Sequence, residues 1–198
     1  MARRALRKPR TKPVEVRRGD LLEAAQRLFL KDGVAAVSVE EITDAAKVSK
    51  GSFYSHFSSK EALIAALAGQ FSQTLLKSLQ AAVAEPSEKD WKGKLAAWAS
   101  ACVSGYLDAA ALHELLFFGS AHAGTRDGLV DNILIDHLAA LLSAGKKAGV
   151  FSLEDVRVTA VFLFNGAHAA IDDAQLREKR VNRMWLSGRL GQLFLSCV

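Results

Sequence analysis

The stretch Ser38–Leu63, SVEEITDAAKVSKGSFYSHFSSKEAL, decides the fold. Ser38 is followed three residues later by Glu41, the spelling of a capping box, and predicts a two-turn helix from about Val39 to Ala46 with Val39 and Ile42 turned inward. The pattern breaks near Lys47 and Val48. Ser49 is then a good N-cap for a third short helix from Lys50 to about His56, in which Phe53 and Phe57 share the core-facing side. Ser58 with Glu61 spells a second capping box. It opens a long fourth helix, to about Val83, in which Leu63, Leu67, Phe71, Leu75 and Leu79 recur every four residues. Helix, tight turn, helix, and then a long amphipathic rod is the order these residues dictate.

Working outward, Leu21, Leu22, Ala25, Leu28 and Phe29 form one face of a first helix over about 17–32, which Gly33 can end in the left-handed conformation. After the fourth helix, Glu85–Asp90 with Pro86 and Ser87 is the clearest linker. Five more helical segments follow: about Trp91–Leu107, Ala110–Ala121, Arg126–Ala148, a segment opened by Ser152 with Asp155 and reaching about Asp173, and Val181–Ser196. Lys146, Lys147 and Gly149 mark the end of the seventh. Trp185, Leu186, Leu190, Leu193 and Phe194 are the apolar positions of the ninth. Alternation of the β type is missing, so the chain is predicted to be all-α with about nine helices. A three-helix helix-turn-helix domain over 19–66 is followed by a larger helical bundle over 67–198, and residues 1–18 form a basic arm.

Charge divides along the same line. Residues 1–60 carry 13 Lys or Arg against 7 Asp or Glu, whereas residues 61–198 carry 13 against 14, so the whole net charge of +5 resides at one end. Eight basic side chains fall in residues 1–18, interrupted by Pro9 and Pro13. Such an arm neutralises phosphates or is simply a solvated tail. No run of eighteen apolar residues occurs, and the basic N-terminus lacks the apolar segment of a signal peptide, so no membrane partner and a cytoplasmic location are expected. Cys102 and Cys197 have no metal-type spacing, which disfavours disulfide or zinc frameworks. A phosphate loop, a GxSxG elbow, a dinucleotide GxGxxG and an HExxH helix are all missing, so neither an enzyme nor a cofactor is expected.

A helix entering the major groove must present small or polar side chains at its first turn, because bulky ones would hold it off the base edges. Lys50, Gly51 and Ser52 meet that need. Tyr54 and His56 are left to project toward a phosphate-lined wall, while Ser58 or Ser59 with Lys60 puts free N–H groups and a cation at a helix N-terminus. Phe29, Gly33, Ser38, Val39, Ile42, Ala45, Ala46, Val48, Ser49, Gly51, Ser52, Tyr54, Phe57, Ser59, Lys60, Glu61 and Leu63 together resemble the DNA-binding domain of the tetracycline-repressor (TetR) family of bacterial transcriptional regulators. The resemblance implies a repressor that binds a palindromic operator as a homodimer and is released by a small-molecule inducer. It implies phosphate contacts from Tyr54, His56 and Lys60 and base reading by Lys50 and Ser52. Ser38, Lys47, Ser49 and Gly51 complete the expected DNA-binding set. Two positions depart from the family: Thr43 replaces the usual alanine and Lys47 the usual glycine. A lysine forced to positive φ costs roughly 1 kcal/mol, so either the turn has another shape or Lys47 is kept for a phosphate.

One short module binds weakly, so a dimer is expected. Family members dimerise through their last two helices, and Gly166, Ala167, Ala169 and Ala170 are candidates for close helix approach there, unless they are plain core packing. The fourth helix then links DNA binding to ligand binding, since a shift of it changes the spacing of recognition helices, which must stay near about 34 Å. Polar residues in apolar helices are the guide to an inducer pocket. Asn165, His168 and Asp172 share one face of the eighth helix, with Trp98, Tyr106, His113, Phe117 and Phe118 as candidate wall. No metal is expected, because His113 and His122 lie nine apart on opposite faces of one helix and cannot join His168 and Asp172 together. The competing reading is a helical-bundle small-molecule-binding protein or enzyme with only non-specific nucleic-acid affinity from its arm.

Overall fold

The computed structural model describes residues 14–117, 132–178 and 180–198, with the side chains of 14–16 and 117 excluded. Among the described residues there are nine helices and no strand: α1 Val14–Asp32, α2 Val39–Ala46, α3 Lys50–His56, α4 Lys60–Ala84, α5 Trp91–Asp108, α6 Ala110–Phe117, α7 Ile133–Lys147, α8 Val156–Arg177 and α9 Arg183–Ser196. The chain divides into two compact units, Met1–Leu67 and Ala68–Val198. No single helix among the described residues is long and apolar enough to cross a membrane.

In the first unit α1 packs on α2 and α3. Leu21, Ala25 and Phe29 from α1, Ile42 from α2, Phe53 from α3, Phe57 after it and Leu63 and Ile64 from α4 are all buried. Each large apolar side chain placed there contributes about 1.5–3 kcal/mol, enough to hold helices of seven or eight residues that would not form alone. The guanidinium of Arg18 lies over the Phe57 ring, 5.3 Å from its centroid.

The second unit is organised around α5, which packs on α7, α8 and α9, with α7 also against α8. Leu95, Trp98, Ala99, Cys102, Val103 and Tyr106 of α5 are buried. Trp98 stacks on Phe194 at 5.9 Å and meets Phe164 edge-on at 6.5 Å. Its indole N–H donates to His137 Nδ1 at 3.1 Å, so its one polar atom is satisfied. Gly191 lies against Ala96, letting α9 approach α5 closely.

Several boundaries differ from the sequence reading. The first helix begins at Val14, not about 17, so residues 14–18 are helix and only 1–13 of the expected arm lie outside the described residues. The cap of α4 is Ser59, not Ser58: Ser59 Oγ accepts from the Ala62 N–H at 3.1 Å, and the Ser59 carbonyl accepts from Leu63. Phe57 is extended, and the helix starts where it can bring Leu63 and Ile64 inward. The cap of α8 is Asp155, accepting from Val158 at 2.9 Å. Residues 151–154 stay a loop because Phe151 is buried against Gly145 and Lys146 holds the Glu154 carbonyl. The last helix begins at Arg183 after the Asn182 cap, and its Trp185 and Leu193 are exposed, not core. The expected helix from Ala110 to Ala121 and the start at Arg126 of the next run into residues 118–131, outside the described residues.

Candidate nucleic-acid interface and a buried polar cluster

The surface built by α2 and α3 follows from three local devices. Ser38 caps α2 with a complete capping box: its Oγ accepts from the Glu41 N–H, and Glu41 accepts from the Ser38 N–H at 2.7 Å. These contacts hold the exposed Glu41 carboxyl below its usual range. Lys47 then adopts the left-handed conformation, φ 56° and ψ 41°. It is the only non-glycine residue at positive φ among those described. Its N–H donates to Asp44 at 3.1 Å and that of Val48 to Thr43 at 3.0 Å, the pattern of a helix-ending motif usually closed by glycine. Finally Ser49 caps α3 by accepting from Ser52 at 3.1 Å. Thr43, buried where the resembled family has alanine, donates to the Glu40 carbonyl and so carries no unsatisfied hydroxyl.

Of the expected DNA-contacting residues, Ser38, Lys47, Ser49, Lys50 and Gly51 are exposed, Tyr54 is 53% exposed, and His56 is half-buried. Tyr54 is held edge-on to the buried Phe53 ring at 5.3 Å, which fixes its direction outward. Two expected roles meet a different geometry. Ser52 Oγ is buried and has no hydrogen-bond partner among the described residues, so in this rotamer it faces away from any base edge. Lys60 Nζ donates to the Val34 carbonyl at 3.0 Å and the Val37 carbonyl at 2.9 Å, tying the start of α4 to the α1–α2 loop. Two of its three N–H bonds are thereby used. That long-range staple carried no sequence signal beyond a cation at a helix start.

In the second unit the candidate ligand residues separate into groups. Tyr106, His113, His168 and Asp172 converge. His113 Nε2 and His168 Nε2 are 2.7 Å apart, and Asp172 Oδ2 lies 3.6 Å from His168 Nδ1. The Tyr106 ring centroid is 4.8 Å from His113 and 5.0 Å from His168. Burial pushes the pKa of His113 down to about 4, helped by His168 beside it, and lowers that of His168 against the pull of Asp172. Burial raises the Asp172 carboxyl and sends the Tyr106 hydroxyl well above its usual value. Cys102, pushed up to about 12 by burial, is an inert packing thiol.

Asn165 does not join this group. It is exposed, and its side-chain amide donates to the Val161 carbonyl of its own helix at 2.8 Å, because its position on α8 faces away from α5 and α6. Trp98 is fully buried and bonded to His137, a core position and not a pocket wall. The Phe117 side chain and Phe118 lie outside the described residues, as does His122. A cleft of about 770 Å³, lined by Leu107, Gln175, Glu178, Arg180, Val181, Asn182 and Arg183, involves none of the expected residues. Arg183 of its lining pairs with Asp108 of α5, a contact that no local pattern announced.

Residues 21–67 match the family described as "Bacterial regulatory proteins, tetR family". In this segment, about a quarter of the chain, the sequence is that of the tetR family. The chain is 41% identical over 71 residues to the HTH-type transcriptional repressor DhaR of Mycobacterium sp. (strain GP1), covering 36% of this chain and 34% of that protein. The alignment thus spans about a third of the relative's length. Over nearly the whole chain the fold is that of tetR-family regulators. The fatty acid degradation regulator FadR from Bacillus halodurans superposes with a TM-score of 0.74 at 19% identity, covering 94% of this chain and 97% of that one. The transcriptional regulator FadR from Bacillus subtilis, in complex with stearoyl-CoA, gives 0.71 at 19% identity, covering 91% and 98%.

Proposed function

We propose that the chain is a cytoplasmic transcriptional repressor that binds a palindromic operator as a homodimer and is released by a small molecule. The observation that carries the reading is the exposed row of Lys47 in the turn and Lys50, Gly51 and Tyr54 on the short α3, whose cap and buried Phe53 fix it. In this reading Lys50 and Gly51 meet base edges, Tyr54, His56 and Lys47 meet phosphates, and Lys60 positions the surface from below. Residues 1–13 add sequence-independent attraction. The domain plan is a basic arm, a DNA-binding unit and a unit for ligand binding and dimerisation.

Dimerisation is supported by apolar side chains left exposed on the last two helices. Val158 and Phe162 on α8 are 64% and 67% exposed, and Met184 and Trp185 on α9 are 85% and 62% exposed. Gly166 and Ala169 lie exposed on the same helix as Phe162, whereas Ala167 is buried core. The inducer is assigned to the Tyr106, His113, His168 and Asp172 region, where polar groups converge inside an apolar wall. The stearoyl-CoA bound to the Bacillus subtilis regulator supports a small-molecule effector in this fold. Release is a population shift, limited by the effector's difference in affinity between the DNA-binding and DNA-free states.

The test is selection of the purified protein against random DNA duplexes at near-physiological salt. Enrichment of an inverted repeat with half-sites about 10 base pairs apart, or a multiple of it, supports the reading. A folded protein that enriches nothing, or everything equally and only at low salt, refutes it in favour of a helical-bundle protein with non-specific affinity.

A further inference from the structure

His113 from α6 and His168 and Asp172 from α8 each present a donor atom, and these atoms lie within 4.8 Å of one another. A metal is not expected from the sequence because His113 and His122, on opposite faces of one helix, cannot both join His168 and Asp172; His113 by itself reaches them. We propose that His113, His168 and Asp172 form a binding site for a divalent first-row transition metal, of the zinc, cobalt or nickel type.

The donor set selects the metal class. Two imidazoles and one carboxylate suit borderline transition ions, whereas magnesium and calcium require oxygen ligands. The spacing suits it as well. Bonds of about 2.0–2.1 Å in a tetrahedral site place neighbouring ligand atoms about 3.3 Å apart. His168 gives the ion a single nitrogen, and one donor atom from each of the three residues lies within 4.8 Å of the other two, so the edges change by about 1.5 Å at most to reach that spacing. The 2.7 Å between the two Nε2 atoms is an imidazole–imidazole hydrogen bond, which opens by about 0.6 Å to admit the ion. A neutral imidazole has one N–H, so the ring that donates in that bond must move its proton to the other nitrogen before it can ligate.

The surroundings fix the ligands and leave an approach. His113 is 3% exposed, while the side chains of His168 and Asp172 are 25% and 21% exposed, so the ion enters from the α8 side. Tyr106 packs against both imidazoles, and Phe164 stacks parallel to His168 at 6.3 Å, which limits ring rotation. Three protein ligands leave at least one coordination position for water or a donor atom of an effector. The inference stands independently of DNA binding.

The experiment uses the full chain, free of any affinity tag and stripped with a chelator. Zinc is titrated in competition with a chromogenic chelator, and cobalt is titrated while its visible absorption is followed. The expected result is one ion per chain, a four- or five-coordinate cobalt spectrum and a metal-dependent rise in Tm. His168→Gln and Asp172→Asn, both confirmed as folded by circular dichroism, weaken zinc binding by about 100-fold or more and abolish the rise in Tm, since even outer-shell partners cost 10–100-fold. Binding of less than one ion per chain at micromolar zinc overturns the proposal. So does unchanged affinity in folded Asp172→Asn, whose partly exposed side chain is isosteric with its replacement.

Discussion

Lys47→Gly separates what the turn costs from what the lysine supplies. Lys47 sits at φ 56°, where an L residue is strained by about 1–2 kcal/mol relative to the right-handed region. Glycine removes that strain but has more freedom to lose on folding, about 0.5–1 kcal/mol. The net expectation is a gain of about 0.5–1 kcal/mol, or a rise in Tm of about 1–4 °C for a chain of this size. DNA affinity moves the other way. Losing one phosphate contact per protomer lowers the magnitude of the salt slope, log K against log salt, by about 0.9 per contact, or about 1.8 for a dimer. Lys47→Ala keeps the strain and loses the charge, so it lowers the slope equally without the gain in stability. Thermal melts and anisotropy titrations at several salt concentrations give both numbers. A glycine variant no more stable than the alanine variant refutes the strain argument. An unchanged salt slope in both refutes the phosphate contact.

Three further outcomes follow from single features. Lys60→Met leaves the Val34 and Val37 carbonyls without their charged donor, and a loss of about 1.5–3 kcal/mol is expected in urea denaturation; a loss below about 0.5 kcal/mol would show that the staple contributes nothing. Ser52→Ala removes a buried hydroxyl that has no partner among the described residues, so stability stays level or rises by about 1 kcal/mol, whereas a marked loss contradicts its inward placement. Burial lowers the pKa of His137 and takes that of His113 down to about 4. The unfolded chain therefore binds these protons first as pH falls, and the stability from the neutral imidazoles is full above about pH 6.5 and declines toward pH 4. His137→Gln, read by melts from pH 8 to 4.5, should flatten part of that decline; a profile as steep as wild type sinks the assignment.

Local devices were legible in the sequence because they act over three or four residues. The Ser38 box, the Ser49 cap, the inward Phe53 and Phe57 and the buried stripe Leu63 to Leu79 all stand where their spacing puts them. Lys47 stood out as a strained position only through the resemblance, and its φ removes the alternative in which the turn has another shape. What was not legible depends on which helix meets which. The pairing of His113 with His168 spans 55 positions, and the Lys60 staple spans 26 and 23. Period alone also assigned Asn165 to the face of His168, although its amide bonds its own helix in solvent. Ser58 and Ser59 were equally good caps by type, and the burial of Leu63 and Ile64 decided between them.

The claim that α3 carries recognition is tested most directly by binding of the selected duplex to three proteins: wild type, the double variant Lys50→Ala with Tyr54→Ala, and the chain lacking residues 1–13. With contacts worth about 1–3 kcal/mol each, the folded double variant should lose about 100-fold or more in affinity, while the shortened chain keeps its sequence preference and loses only part of its salt-dependent affinity. Unchanged binding by the double variant, with binding eliminated by removal of residues 1–13, would contradict the account.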